Sequence, residues 1–172
     1  MILEDFERFV RDTSPALLSY LARCTDPPHD AADVLAETLF TAYRKIDAVP
    51  SDPHEAKFWL FAVARKQLAN YRRGKVRHRN LSTRLAESIR VSSPEPADTG
   101  AQDLLDQLST RDRELVTLVV LEGFGVTEAG HILGISSSTA RSRYSRAKAK
   151  MRAVNQHQSR SSPTAQPASS GA

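Results

Sequence analysis

Helical spacing of the apolar residues is the feature that most limits what this chain can fold into. No segment alternates apolar and polar residues as a half-buried strand does. Between residues 30 and 46, one helical stripe comprises Leu35, Leu39, Ala42, Tyr43 and Ile46. The opposite face of that helix carries Asp33, Glu37, Phe40 and Arg44. The sequence therefore predicts an all-α protein.

Two small helical domains joined by a flexible linker account for the changes in composition along the chain. Apolar content falls after Leu81, and residues 92–100 are rich in Ser, Pro and acidic side chains. We therefore predict a first domain over residues 1–80, a linker over 81–102, a second domain over 103–154 and a disordered tail over 155–172. Within the first domain, we expect helices over 3–24, with a possible break near Pro15, and over 56–73.

Charge is distributed in four alternating blocks. Residues 1–56 and 94–135 each carry a net charge of −6, whereas residues 57–93 carry +9 and residues 136–172 carry +7 with no acidic residue at all. Charge runs of this kind are often ordinary solvated helix faces, and that is one interpretation of the four blocks. Two separate basic blocks nevertheless favour two sites for a polyanion such as DNA.

Several classes of protein are disfavoured by what the sequence lacks. Cys24 is the sole cysteine, which excludes an internal disulfide framework and fits the cytoplasm. No run of residues is apolar enough for a membrane span, and no leader peptide is recognisable, so we expect no membrane partner. The five histidines are scattered and no phosphate-binding loop is complete. We therefore predict no catalytic residues, no metal and no cofactor.

The second domain carries a helix-turn-helix pattern. Thr127 is a candidate cap for a first helix that ends near Gly134, and Ser136 is a candidate cap for a second helix. The second helix has a buried stripe of Ala140, Tyr144, Ala147 and Met151 and a polar, basic remainder. Its predicted contacts with duplex DNA are Ser137, Ser138, Thr139, Arg141, Ser142, Arg143 and Arg146, of which Ser138 and Arg141 are the candidates for reading bases.

A second candidate DNA site lies in the first basic block, where one helix from Lys57 to Arg73 combines aromatic and cationic residues. Aromatic faces stack on unpaired bases while cations follow the backbone, so this mixture suits single-stranded DNA. Core packing is the alternative for the three large apolar residues at 58–60, and Phe61, Lys66 and Asn70 are the better candidates for an exposed face. The predicted contacts are Trp59, Phe61, Arg65, Lys66, Asn70, Arg72 and Arg73.

These segments together resemble the extracytoplasmic-function, or group four, sigma factors of bacterial RNA polymerase. Residues 30–40 resemble the acidic helix that grips the polymerase clamp, and residues 58–66 resemble the helix for the downstream (minus-ten) promoter element. Residues 108–114 and 134–143 resemble the domain for the upstream (minus-thirty-five) element. The likeness covers about residues 3–153 in the family's order, and it departs from the family's usual residues at Lys66, Asn70, Ala36, Gly130 and Ala140.

The resemblance implies recruitment rather than catalysis. The partners it implies are core RNA polymerase, promoter DNA as duplex and as melted non-template strand, and, in many relatives, an anti-sigma factor. Asp33, Glu37 and Phe40 become the polymerase-docking patch. Two other functions stay open at this point: a helix-turn-helix regulator that does not join polymerase, and an enzyme acting on nucleic acid.

Overall fold

The computed structural model describes residues 2–83, 105 and 107–161, and those residues are helical with no β-strand. The first unit consists of α1 (Leu3–Cys24), α2 (Ala31–Tyr43) and α3 (Pro53–Thr83), with short 3-10 turns at Pro28–Asp30 and Ile46–Ala48. The all-α prediction is confirmed. Residues 84–102 of the predicted linker lie outside the described residues, as do residues 103 and 104 of the predicted second domain. The first linker residues, 81–83, belong to α3.

Helix α1 runs unbroken through Pro15, so the possible break predicted there is wrong. A proline inside a helix costs about 3 kcal/mol because it removes a backbone hydrogen bond and crowds the preceding turn. Pro15 itself is exposed, whereas Leu17, Tyr20 and Leu21 are fully buried just beyond it. Burial of three such side chains, at about 1.5–3 kcal/mol for each large apolar group, offsets the cost of the proline.

The buried face of α2 is rotated from the predicted stripe. Val34, Thr38 and Ala42 are buried, whereas Tyr43, which the stripe includes, is 54% exposed. Thr38 tolerates burial because its hydroxyl donates to the carbonyl oxygen of Val34 at 2.7 Å. Helix α3 is also longer than the predicted 56–73, since it begins at Pro53 and continues to Thr83.

The second unit is the predicted helix-turn-helix, preceded by α4 (Thr110–Val116) and a π-helical turn at Thr117–Leu121. Its first helix, α5 (Val126–Leu133), starts after Gly125 rather than at the predicted cap Thr127. The carboxylate of Glu128 accepts a hydrogen bond from the Gly125 backbone at 2.7 Å. Glu128, and not Thr127, therefore supplies the side-chain hydrogen bond at the start of α5. Gly134 ends α5 at φ +69°, as predicted.

The second helix of this motif, α6 (Ser137–Ser161), is capped by Ser136 as predicted, with the Thr139 amide donating to the Ser136 hydroxyl at 3.2 Å. It continues to Ser161, past Asn155, where the sequence predicts the tail to begin. Gln and Arg have good helix propensity, so nothing in that stretch stops the helix. Residues 162–172 of the predicted tail lie outside the described residues.

One hydrophobic core is shared by the two units. The buried residues of α1, α2 and α3 form a continuous cluster with Leu115, Leu118, Phe124, Ile132 and Ala140 of the second unit. The ring of Phe124 makes the central contact, with its centroid 5.2 Å from that of Phe61 and 6.3 Å from that of Phe58. The second unit is therefore packed directly against α3.

Close approach of α5 and α6 explains the glycine at position 130. A Cβ atom placed on Gly130 would lie 2.8 Å from the Cβ of Ala140, which is shorter than real contacts allow. Gly74, in the middle of α3, has nothing within 4 Å of the corresponding position. The two glycines thus differ in packing although both lie inside helices.

We expect Gly130→Ala to destabilise the protein, because overpacking costs about 1–3 kcal/mol and outweighs the gain of about 1 kcal/mol in helix propensity. Gly74→Ala is the matched control and should stabilise by about 0.5–1 kcal/mol. Urea unfolding followed by circular dichroism measures both changes. A stabilising Gly130→Ala would contradict the close contact between α5 and α6.

Candidate nucleic-acid interface

The predicted duplex-binding residues all lie in the first turns of α6. Its contact with the rest of the unit is made by Ala140 and Ala147, which are buried, and by Tyr144, which is half-buried. The remaining faces present polar and basic groups: Ser138, Arg141, Ser142 and Arg146 are exposed, and Ser137, Thr139 and Arg143 are half-buried. Each residue of the predicted set therefore lies near the start of α6 with its side chain exposed or half-buried at the helix surface, as contact with DNA requires.

Local hydrogen bonds distinguish the hydroxyl groups at the start of α6. The Ser136 hydroxyl lies 2.8 Å from the Thr139 Oγ1 atom and 3.1 Å from the Ser138 Oγ atom. Because Thr139 is half-buried and takes part in the cap, its hydroxyl has less freedom to turn toward a ligand than that of exposed Ser138. Ser138 is therefore the better placed of the two to reach a base.

A cationic cleft of about 370 Å³ lies between the start of α4 and the middle of α6. Its walls carry Arg111, Arg143, Arg146 and Lys150, with Asp112 the acidic member. The side chain of Lys150 also donates to the backbone carbonyl of Gln107. Arg111 is absent from the predicted set because it precedes the helix-turn-helix in the chain, and only the fold brings it beside α6.

The predicted single-strand site on α3 is divided between two faces of the helix. Lys66, Asn70 and Arg73 are exposed and lie in one row with half-buried Trp59. Within that row, the Arg73 guanidinium donates to the Asn70 side chain at 2.5 Å. Phe61, Arg65 and Arg72 point to the other side, toward the second unit. The structure therefore does not bring the seven residues together as one surface.

Phe61 corrects the sequence prediction most clearly. We expected it on an exposed face, but it is fully buried, and its ring packs between those of Tyr20, at 5.4 Å, and Phe124, at 5.2 Å. A ring enclosed on both sides cannot stack on a base while this packing persists. Phe61 is therefore a core residue in this structure rather than a DNA contact.

Glu114 of α4 forms ion pairs with the two arginines on the inner face of α3, Arg65 and Arg72. Its side chain is 2% exposed, and its Oε2 atom lies 2.9 Å from Arg65 Nε while its Oε1 atom pairs with Arg72. Arg72 also donates to the carbonyl oxygen of Cys24 at 2.7 Å. Sequence analysis missed Glu114. The available signal was an acidic residue directly before the apolar run Leu115–Val116.

Two further acidic residues of the second unit meet α3. Lys57 donates to the backbone carbonyl of Glu122 at 2.8 Å and lies 3.7 Å from its carboxylate. His54 contacts the Glu128 carboxylate at 2.7 Å, and this hydrogen bond, with that from the Gly125 backbone, lowers the pKa of Glu128. For Glu122, burial raises the pKa and the nearby Lys57 opposes that rise.

A polar cluster fixes α3 to the loop between α1 and α2. The Tyr71 hydroxyl lies 2.6 Å from Asp30 Oδ2 and 2.8 Å from the carbonyl oxygen of Asp26, and Lys75 lies 3.4 Å from the Asp30 carboxylate. The hydrogen bond from Tyr71 is the main reason that the pKa of Asp30 is lowered, while partial burial opposes the shift. The cluster holds the middle of α3 in place below its exposed row.

We expect Tyr71→Phe to destabilise the protein by about 1 kcal/mol at neutral pH, the usual worth of one hydrogen bond. A lowered pKa of Asp30 stabilises the fold above the unfolded value of about 3.9, and this part is lost as the pH falls through the folded value. The loss caused by Tyr71→Phe should therefore shrink in acid. Urea unfolding at pH 7 and pH 3 tests this, with Tyr43→Phe as the control. Equal losses at both pH values would argue against the Asp30 bond.

The predicted docking patch on α2 is exposed. Asp33, Glu37 and Phe40 all face solvent, and Phe40 is 58% exposed with the Arg44 guanidinium 5.8 Å from its ring centroid. Tyr43, which sequence analysis placed in the core, extends this patch and contacts Phe6 of α1 at 6.2 Å between centroids. Exposed aromatic rings that lie close together are typical of a protein-binding surface.

None of the helices over residues 2–83 and 107–161 is long and apolar enough to cross a membrane. Among these residues, no three side chains of His, Cys, Asp or Glu come together in a way that could hold a metal ion. Cys24 is buried, and its burial raises the pKa of the thiol to about 12, so the reactive thiolate is disfavoured.

Family models match both units of the chain. Residues 9–78 match the model described as Sigma-70 region 2, and residues 100–151 match the model described as Sigma-70, region 4. The first match contains α2 and most of α3, and the second contains the helix-turn-helix. The two candidate DNA faces therefore fall in two separate matched regions.

Curated relatives are similar over most of their length. The ECF RNA polymerase sigma factor SigL of Mycobacterium tuberculosis is 30% identical over 144 residues, which cover 79% of this chain and 81% of SigL. The ECF RNA polymerase sigma factor SigM of Bacillus subtilis is 31% identical over 157 residues, which cover 88% of this chain and 93% of SigM.

Solved structures share the fold. The sigma factor RpoE of Bartonella quintana, solved with the anti-sigma factor NepR, matches with a TM-score of 0.70 and 26% identity over 90% of this chain and 98% of RpoE. CnrH, solved with the cytosolic domain of CnrY, matches with a TM-score of 0.63 and 23% identity over 91% of this chain and 90% of CnrH.

Proposed function

Because the chain belongs to the extracytoplasmic-function family of RNA polymerase sigma factors and directs RNA polymerase to promoters, we propose which of its surfaces performs each step. Residues 1–80 dock on polymerase and hold the downstream element, and residues 103–154 hold the upstream element. Polymerase supplies the chemistry, and this chain contributes binding and positioning without a catalytic step. The cytoplasm, where polymerase and promoters meet, is the proposed location.

Upstream recognition is assigned to the exposed start of α6. The single observation that carries this assignment is an exposed polar and basic helix surface with no acidic residue, beginning at a well-formed cap. In a helix-turn-helix the first residues of the second helix reach base edges, and later cations reach phosphates. Ser138 and Arg141 are therefore the proposed base contacts, and Arg143 and Arg146 the proposed phosphate contacts.

Downstream recognition is assigned to the row of α3 in which Lys66, Asn70 and Arg73 are exposed and Trp59 is half-buried. Melting a promoter costs a few kilocalories per unstacked base, and capture of the unpaired strand offsets part of that cost. Aromatic stacking on Trp59 and backbone contacts with Lys66 and Arg73 are suited to this capture. Arg65 and Arg72 belong to the predicted set but are paired with Glu114 in this structure.

Polymerase docking is assigned to the exposed face of α2, with Asp33 and Glu37 as the charged members and Phe40 as the apolar anchor. A helix-turn-helix regulator that acts without polymerase was the alternative from sequence. The match of residues 9–78 to Sigma-70 region 2 accounts for the part of the chain which that alternative assigns to sensing or dimerisation. An anti-sigma factor is a further proposed partner, since RpoE was solved with one.

Run-off transcription from a promoter library tests the proposal as a whole. Purified core polymerase is supplied with the full chain or without it, and the transcripts are sequenced. Promoter-specific initiation that depends on the chain is the expected result. Absence of any such initiation would reject the assignments above.

We expect Arg141→Ala to relax promoter choice at the upstream element and to weaken binding by about 1–3 kcal/mol, as loss of a base contact does. Arg152→Ala is the matched control because it removes the same charge from an exposed position farther along α6. The control should weaken binding to all promoters alike. The same promoter library, with each variant in turn, separates these two outcomes, and unchanged selectivity in Arg141→Ala would contradict base reading.

We expect Phe40→Ala to weaken binding to core polymerase at least about tenfold, because a buried aromatic anchor commonly contributes more than 1.4 kcal/mol to an interface. Val76→Ala is the control, since Val76 on α3 is 57% exposed and Phe40 is 58% exposed. Fluorescence anisotropy of the labelled full chain titrated with core polymerase measures both affinities. Equal affinities for the two variants would remove Phe40 from the docking surface.

A further inference from the structure

In the contact between the second unit and α3, the charges are arranged as in a protein–DNA contact, with the second unit in the place of the DNA. Each cation or imidazole comes from α3 and each carboxylate comes from the second unit: Glu114 with Arg65 and Arg72, Glu122 with Lys57, and Glu128 with His54. The sequence blocks have the same relation, since residues 57–93 carry +9 and residues 94–135 carry −6. The acidic block thus neutralises the inner face of a helix that is proposed to bind DNA.

Glu114 is the most enclosed part of this contact. Its two carboxylate oxygens each face a different arginine of α3, and its side chain is 2% exposed. A phosphate group offers the same charge and the same paired oxygens to guanidinium groups. Glu114 and a DNA phosphate are therefore alternative ligands for Arg65 and Arg72, and both cannot be bound at once.

The packing of the second unit against α3 also affects α6, the proposed recognition helix. A cleft of about 230 Å³ beside Glu114 is lined by Arg65 of α3 and by Arg111 and Arg143 of the second unit. Arg143 belongs to the proposed upstream surface, so members of both proposed DNA surfaces face the same narrow space. The Arg143 side of α6 therefore faces α3 in this arrangement, while the rest of the proposed upstream surface stays exposed.

We propose that this structure is a self-blocked state, in which Glu114 acts as an internal substitute for DNA phosphate and holds the second unit over Arg65 and Arg72. The proposal rests on the assignment of α3 to single-strand binding. Opening frees the two arginines, and the melted strand then competes with Glu114 for them. Closed molecules offer the strand only the exposed row of α3, so closure raises the apparent dissociation constant by at most the reciprocal of the open fraction.

Glu114→Gln of the full chain is the direct test, because it keeps the size of the side chain and removes its charge. Glu7→Gln, at an exposed position of α1, is the matched control and makes the same change in net charge. Small-angle X-ray scattering measures the radius of gyration, and anisotropy measures binding of a labelled oligo-dT strand. Thermal melting by circular dichroism checks that each variant is folded.

Glu114→Gln should increase the radius of gyration and tighten oligo-dT binding, by up to about tenfold if nine molecules in ten are closed in the wild type. Glu7→Gln should leave the radius unchanged and alter binding only slightly. Equal behaviour of the two variants in both measurements overturns the proposal. Expansion without tighter binding also overturns it, because the arginines would then be freed with no benefit to the strand.

Phe124→Ala supplies a test that changes no charge and stands in if Glu114→Gln does not fold. It removes the ring that packs against Phe58 and Phe61, so it should also open the molecule and tighten oligo-dT binding. Lys66→Ala and Arg73→Ala, on the exposed row, test the strand assignment alone. If these two leave oligo-dT binding unchanged, the proposed function of α3 fails, whereas scattering reports on the Glu114 contact without DNA.

Discussion

The ring of Phe61 lies between the rings of Tyr20 and Phe124, and this contact determines how α3 is oriented in the molecule. Full burial of a phenylalanine side chain is worth about 1.5–3 kcal/mol, and here it joins the core of the first unit to the second unit. A helix held at that point cannot rotate about its axis. Lys66, Asn70 and Arg73 must therefore face solvent, and Arg65 and Arg72 must face Glu114.

Periodicity in the sequence was sufficient to predict the helices of the described residues and the helix-turn-helix. It predicted α6 well because the buried side of that helix is marked by small apolar residues, Ala140 and Ala147. It predicted the orientation of α3 poorly because that helix packs on the first unit and on the second unit. Phe61 therefore looked as suitable for solvent as Lys66, and the positions of Tyr20 and Phe124 distinguish them.

Electrostatic partners across the two units could not be assigned from spacing. Glu114, in the acidic block at residues 94–135, pairs with two arginines of the basic helix α3. Opposite net charges of the two blocks were visible in the sequence. Which carboxylate meets which cation depends on tertiary packing, since Glu114 lies 42 positions from Arg72.

Glu128 performs two tasks with two different atoms. Its Oε2 atom accepts the backbone hydrogen bond from Gly125 that starts α5, and its Oε1 atom contacts His54 of α3. The bond from Gly125 that starts the helix-turn-helix is thus separate from the bond to His54 that attaches the motif to α3. A substitution of His54 would therefore remove the attachment at Oε1 and leave the Gly125 bond at Oε2 in place.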